Sequence, residues 1–237
     1  MAEFTAIECS CNGTVMEGTI CVPQGSGPRP AVVMFPGASG SGPTFGKRAG
    51  ELVELGYLVV CADMYEQGAD QSTPEAAGKH FMALLDAPEE LRARAVAWLD
   101  LVKTHAAADP GRVAALGYCF GGKCVLEIAR SGADLKAVVS YHGLLTTHAP
   151  ARPGSVKCEV VAWCAGQDPY APLTHVEEFR REMRLAEASH QITMFSYAEH
   201  SFTDADHDGL QDGIAYHPLA FRVSWAGTLA LLDELLA

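Results

Sequence analysis

From Ala31 onward, short apolar runs alternate with longer segments of helical spacing. The apolar runs are Ala31–Phe35, Tyr57–Ala62, Val113–Leu116, Leu135–Tyr141, Lys157–Ala165 and Gln191–Tyr197. Runs of this kind suit strands covered on both faces, as in a parallel sheet. Between them, helices are expected at Phe45–Leu55, ending at Gly56, and, as a short element, after Pro74. A longer helix should run from Pro88 to about His105, with an acidic first turn and Leu91, Ala95, Trp98, Leu99 and Val102 on one face. Another begins behind Gly122, and one more starts at Thr174, where Thr174 and Glu177 form a capping box, and runs to about Ala188. Pro218–Leu236 closes the chain. Upstream, Glu3–Cys11 and Val15–Val22 read as strands joined by the hairpin dipeptide Asn12-Gly13. The pattern predicts an α/β fold with a doubly wound, mostly parallel sheet behind an N-terminal antiparallel hairpin. No repeat or low-complexity linker divides residues 1–237, so one domain is expected.

Composition narrows the partners. A net charge of -12 without any basic run excludes nucleic acid and anionic membrane surfaces. No run reaches bilayer length, and Met1-Ala2-Glu3-Phe4 does not open a signal peptide. The eight cysteines are scattered, several of them in apolar strand-like runs, which points to buried free thiols and a reducing, cytoplasmic setting. Cys9-Ser10-Cys11 has no second ligand pair to make a zinc site, and no cofactor is implied. Monomer and homodimer both fit.

The chemistry is concentrated after the run Val113–Leu116, where Gly117-Tyr118-Cys119-Phe120-Gly121 leads through Gly122 into a helix. G-x-C-x-G matches the nucleophile elbow of an α/β-hydrolase with cysteine in place of serine. The strand must turn sharply into the helix, and side chains at the glycine positions would clash there. The helix N-terminus behind Cys119 favours a thiolate and any oxyanion beside it. Taken alone, the motif also fits a buried structural cysteine before a glycine-rich turn.

Two further groups follow strand ends, where parallel sheets place their sites. Gly166-Gln167-Asp168 follows Lys157–Ala165, and Ala198-Glu199-His200-Ser201-Phe202 follows Gln191–Tyr197. Nucleophile, acid and histidine then occur in the hydrolase order. His200 would take the thiol proton and return it to the leaving alcohol, while Asp168 holds the ring. His142 also follows a strand, but that strand precedes the acid, so His142 is expected to line the pocket. An oxyanion hole would use the Phe120 N–H and one from the loop after Ala31–Phe35, at Gly37 or Ala38, with Ala38 preferred.

With these pieces in place, the chain resembles the dienelactone hydrolase family. The matching segments are Gly117–Gly122, Gly166-Gln167-Asp168 with Pro172, His200-Ser201-Phe202, and Gly56-Tyr57 with Cys61-Ala62-Asp63-Met64-Tyr65. The resemblance spans nearly the whole chain. It implies a Cys119–His200–Asp168 triad and hydrolysis of a small carboxylic ester or lactone; Gly37, His142 and Phe202 are expected to line the pocket. Two positions depart from the family's type enzyme. Phe35-Pro36-Gly37-Ala38 lacks the glutamate that takes part in thiol activation there, and Ser201-Phe202-Thr203-Asp204 lacks its substrate-binding arginine. A neutral substrate is therefore expected. The contrasting expectation is a non-catalytic or redox-responsive relative that uses Cys119 as a reactive thiol.

The stretch Asp204-Ala-Asp206-His-Asp208-Gly209 resembles the first half of a calcium loop. Its twelfth position is Ala215 rather than glutamate, so an acidic surface loop and no metal are expected.

Overall fold

The structure, a computed structural model, describes residues 3–237. Its strands are β1 (Thr5–Cys11), β2 (Thr14–Cys21), β3 (Arg29–Phe35), β4 (Leu58–Cys61), β5 (Ala108–Tyr118), β6 (Ala137–Tyr141), β7 (Glu159–Ala165) and β8 (His190–Phe195). They form one sheet in the order β1-β2-β4-β3-β5-β6-β7-β8. The β1–β2 and β2–β4 pairs are antiparallel, and every later pair is parallel. This is the α/β-hydrolase fold, with the hairpin turning at Asn12 and Gly13, both at positive φ.

Alternation along β3 shows how the sheet is covered on both sides. Ala31, Val33 and Phe35 join one core layer, with Trp98 from α3 (Pro88–Thr104), Val125 from α4 (Phe120–Ser131) and Phe179 from α5 (Leu173–Leu185). Val32 and Met34 join the other, with Leu52 from α1 (Pro43–Glu54) and Trp225 and Leu232 from α6 (Pro218–Leu236). Successive strand residues point to opposite faces, so a continuous apolar run is required when both faces are buried.

Several boundaries follow local chemistry. Helix α1 ends in a Schellman motif: Tyr57 N–H donates to Leu52 C=O, Gly56 N–H donates to Val53 C=O, and Gly56 has φ +96°. The turn signal at Asp109-Pro110-Gly111 is retained inside β5 as an irregularity, where the register jumps from Arg29↔Ala108 to Ala31↔Val113. The element after Pro74 is a full helix, α2 (Pro74–Asp86), with the Thr73 side chain accepting the Ala76 N–H. Thr174 does not cap α5. The helix starts at Leu173 after Pro172, and Thr174 lies inside its first turn, exposed. The approach to this helix is fixed upstream, because Asp168 Oδ1 already accepts the Tyr170 and Ala171 N–H groups. No helix among the described residues is long and apolar enough to cross a membrane.

Candidate active site

Strand β5 enters helix α4 through Cys119, whose φ of +54° and ψ of −114° lie in a region that costs a non-glycine residue about 1–3 kcal/mol. The surrounding backbone holds it there. Cys119 N–H donates to Tyr141 C=O, and Gly121 N–H donates to Pro36 C=O. The glycines are needed for close approach rather than freedom. A Cβ on Gly117 would lie 2.0 Å from Gly121 O, and one on Gly121 would lie 2.1 Å from Phe35 O. The packed turn leaves Cys119 partly accessible while Cys124, one helical turn on, is fully buried. Burial raises the Cys124 thiol well above its ordinary range.

The loops after β7 and β8 are joined by backbone hydrogen bonds, Gly166 N–H to Phe195 C=O and Gln167 N–H to Ala198 C=O. Gly166 permits this, since a Cβ there would meet Ser196 O at 2.6 Å. The junction brings Asp168 Oδ2 to 2.7 Å from His200 Nδ1, with both side chains buried. The other oxygen of Asp168 is occupied by two N–H groups, so the carboxylate is fixed at both ends. His200 and Cys119 line one cleft, and the thiol is the next influence on the imidazole after Asp168. Burial alone would lower the pKa of His200. The hydrogen bond with Asp168, and then the neighbouring Cys119, outweigh it and raise the value to about 10. The turn after β5 and the loops after β7 and β8 therefore bring Cys119, Asp168 and His200 to one end of the sheet.

Around them opens a cleft of about 700 Å³. Gly37, Ala38 and His142 line it. The peptide after Gly37 is held by a Gly40 N–H to Gly37 C=O bond and by Tyr65 Oη, which donates to Ala38 C=O at 2.8 Å. A Cβ on Gly37 would lie 3.6 Å from Cys119 Cβ, so this loop borders the thiol. Phe120 is the first residue of α4, so its N–H has no acceptor within the helix.

His142 is deeply buried at φ +38°, with Nε2 2.8 Å from Thr203 Oγ1. Burial, and then the neighbouring His200, hold its pKa well below the ordinary histidine range. It stays neutral, its edge against the His200 ring at 5.1 Å. Phe202, expected in the pocket, is fully buried and does not line the cleft. Its ring packs edge-on against His142 at 5.2 Å and Phe195 at 5.4 Å, a packing position behind the site. The reason is alternation: Ser201, at φ +57°, turns the chain so that Ser201 and Thr203 reach the cleft while Phe202 points away.

Three cleft residues carry no signal in the sequence: Thr203 on His142, Tyr170 with its ring 4.8 Å from that of His200, and Arg48 from α1. Arg48 sits on the buried stripe of α1 with Phe45, Ala49 and Leu52, and a charge on an apolar stripe is the only hint available. The acidic loop does not converge. Asp204 pairs with His207, Asp206 Oδ2 accepts the Thr44 N–H, and Asp208 Oδ1 accepts the Tyr216 N–H. No group of three or more His, Cys, Asp or Glu among the described residues is placed to hold a metal ion.

Known proteins share this fold along nearly the full length. A solved structure named m3DLH is 32% identical, with a TM-score of 0.91 and 99% of each chain covered. The dienelactone hydrolase-like promiscuous phosphotriesterase P91, from metagenomic libraries, is 31% identical, with a TM-score of 0.88 and both chains fully covered. A Bradyrhizobium sp. protein named "Probable 2-oxo-3-(5-oxofuran-2-ylidene)propanoate lactonase" is 26% identical over 95% of this chain and 92% of its own. The profile of the Dienelactone hydrolase family matches residues 16–236, and the chain is a hydrolase that belongs to that family.

Proposed function

We propose that this protein hydrolyses a small carboxylic ester or lactone through a cysteinyl acyl-enzyme, with Cys119 as nucleophile, His200 as acid and base, and Asp168 as the group that orients the ring. The observation that carries this reading is the 2.7 Å hydrogen bond between Asp168 and His200, whose ring lines the same cleft as the strained, partly accessible sulfur of Cys119. The sulfur attacks the carbonyl carbon, and the displaced electron pair gathers on the carbonyl oxygen. The Phe120 and Ala38 N–H groups are the donors proposed for that oxyanion.

Protonation decides the order of events. As the sulfur attacks, its proton passes to His200, whose raised pKa of about 10 lets the ring hold it as an imidazolium and then give it to the leaving alkoxide. Once the sulfur is acylated, it no longer supports the imidazolium. Burial then favours neutral imidazole, which takes a proton from the hydrolytic water. The same side chain therefore takes the thiol proton, gives it to the leaving group and then takes one from water. The missing glutamate after β3 fits this scheme, because His200 itself takes the thiol proton.

Incubation with p-nitrophenyl acetate, acid quench and peptide mass spectrometry tests the proposal. The expected result is an acetyl group on the Cys119 peptide that accumulates before steady state. Turnover that persists in Cys119→Ala, with no adduct in the wild type, would refute it.

A further inference from the structure

Three successive carbonyls in the loop after β3 are held by three different partners. Pro36 C=O accepts the Gly121 N–H from α4, and Gly37 C=O accepts the Gly40 N–H from the loop itself. Ala38 C=O accepts Tyr65 Oη at 2.8 Å, a side chain sent across from the turn after β4. In a trans peptide the N–H points away from the C=O, and none of the described peptides is cis. The bond on Gly37 C=O therefore aims the Ala38 N–H. The bond from Tyr65 fixes the peptide plane that follows, so Ala38 is held on both sides.

Tyr65 is itself firmly placed. Its N–H donates to Asp63 Oδ1 at 2.9 Å, while Asp63 Oδ2 accepts Gln71 Nε2 and Asp63 C=O accepts Trp98 Nε1. The side chain is buried and does not line the cleft, so it meets no substrate. Its ring stacks on that of Phe120, with centroids 6.1 Å apart and planes 14° from parallel. Phenylalanine would serve for packing alone, and a buried hydroxyl carries a desolvation cost that its hydrogen bond offsets. Here that bond falls on a loop bordering the sulfur, since a Cβ on Gly37 would lie 3.6 Å from Cys119 Cβ. One side chain thus touches Ala38 through its hydroxyl and Phe120 through its ring.

We propose that Tyr65 is a positioning residue for the oxyanion hole, its hydroxyl holding the Ala38 peptide and its ring backing Phe120, so that the two donors keep a fixed spacing. This rests on the ester-hydrolase reading given above. Oxyanion donors act because they are aimed before charge develops, and losing one costs about 10²–10³-fold in rate. Loosening one should cost less. The effect is confined to steps in which a carbonyl oxygen gains charge. In acylation the S–C bond forms as the carbonyl π pair moves onto oxygen, and that pair then returns to expel p-nitrophenol, which leaves with the thiol proton. In alkylation by iodoacetamide the same sulfur displaces iodide from a saturated carbon, and no oxyanion forms. A residue that acted on Cys119 itself would change both reactions.

Two rates at one sulfur decide the matter: the pre-steady-state burst with p-nitrophenyl acetate, and alkylation of the Cys119 peptide by limiting iodoacetamide. Tyr65→Phe keeps the ring on Phe120 and removes only the hydroxyl. It should slow acylation by about 10-fold, in the maximal rate rather than in the half-saturating ester concentration, and leave alkylation unchanged. Asp63→Ala, which frees the turn beneath Tyr65, should slow acylation by roughly 3-fold, again without touching alkylation. Equal slowing of both reactions, or unchanged acylation, would overturn the assignment. A wild type that is alkylated at Cys119 but never acetylated refutes the hydrolase reading, and this inference falls with it. If wild type and Tyr65→Phe are acetylated equally fast, the inference alone falls. Melting curves identify a variant that has not folded. Should that be Tyr65→Phe, Asp63→Ala decides: selective slowing of acylation upholds the role, and any other pattern removes it.

Discussion

The wall of the cleft that carries Cys119 and the rim formed by residues 201–217 are built on opposite principles. At the elbow, backbone meets backbone: Gly117 against Gly121, Gly121 against Phe35, and Gly122 against Gly143, each too close for a side chain. Beyond the buried Phe202 and Thr203, the rim is mostly polar and exposed or half-buried. It has a single 3₁₀ turn at Ala205–His207, an exposed Leu210, and anchors made of individual hydrogen bonds such as Asp206 to Thr44 and Asp208 to Tyr216. A dense wall can hold a strained nucleophile, because any relaxation would open voids or clashes nearby. A hydrogen-bonded rim can be altered without disturbing that strain. His200 belongs to both, since its partners Asp168 and Cys119 are on the sheet side while its backbone pairs with Gly213 and Ile214 of the rim.

The largest effect should come where the two regions meet. His200→Ala is expected to lower turnover of p-nitrophenyl acetate by about 10²-fold or more, the usual contribution of a general base. His142→Ala should cost much less, because its neutral ring bonds Thr203 and not Asp168. A greater loss in His142→Ala would mean that the proton path runs through the wrong imidazole.

Next in size is a contrast between two glycines. Gly121→Ala places a methyl group 2.1 Å from Phe35 O, a backbone atom that cannot swing aside, and should destabilise the fold by about 1–3 kcal/mol or more. Gly209→Ala meets nothing within 4 Å and bears only the strain of φ +66°, about 1–2 kcal/mol. Urea unfolding of both variants measures the difference. Equal losses would show that the elbow is no more tightly determined than the rim.

The raised His200 pKa gives a smaller effect with a defined sign. Its contribution to stability is fully present below the unfolded value near 6.5 and is lost as pH climbs through about 10. Asp168→Asn removes one source of the shift. The melting temperatures of wild type and Asp168→Asn should therefore differ most near neutral pH and converge above pH ~10. A gap that widened in alkali would mean that the fold does not favour the imidazolium.

The same contrast explains what could be read from the residues in order. The elbow, the acid and the histidine were legible because each is tied to a strand end and their sequence order is restricted. Both layers of the sheet were legible from runs such as Ala31–Phe35. Arg48 was not, because its place in the cleft depends on where α1 lies against Phe221 of α6, a contact between distant segments. The length of α2 was hidden for a related reason: only Ala77 and Leu84 are buried, so the helix leaves almost no periodic signal. Thr174 misled because its capping pattern is local, while the start of α5 is set by Pro172 and by the turn that Asp168 organises. Phe202 misled because a motif names residues without telling which way each one points.

The smallest effect belongs to the rim alone. Asp206 Oδ2 accepts the N–H of Thr44, in the first turn of α1, and so places a carboxylate at the positive end of the helix that carries Phe45 and Arg48. That hydrogen bond holds the Asp206 carboxyl below its ordinary pKa, so its contribution exists above about pH 4 and disappears as pH falls through the lowered value. Because Asp206 is fully exposed, removing it should hardly move the melting temperature. What should change is the definition of the cleft mouth. Asp206→Asn is expected to raise KM by up to about 3-fold with kcat nearly constant, and to speed amide exchange across residues 204–215 while exchange at the elbow is unaffected. A fall in kcat with KM unchanged would break the contrast, since it would mean that the rim helps to set the geometry of Cys119 rather than merely bounding the space beside it.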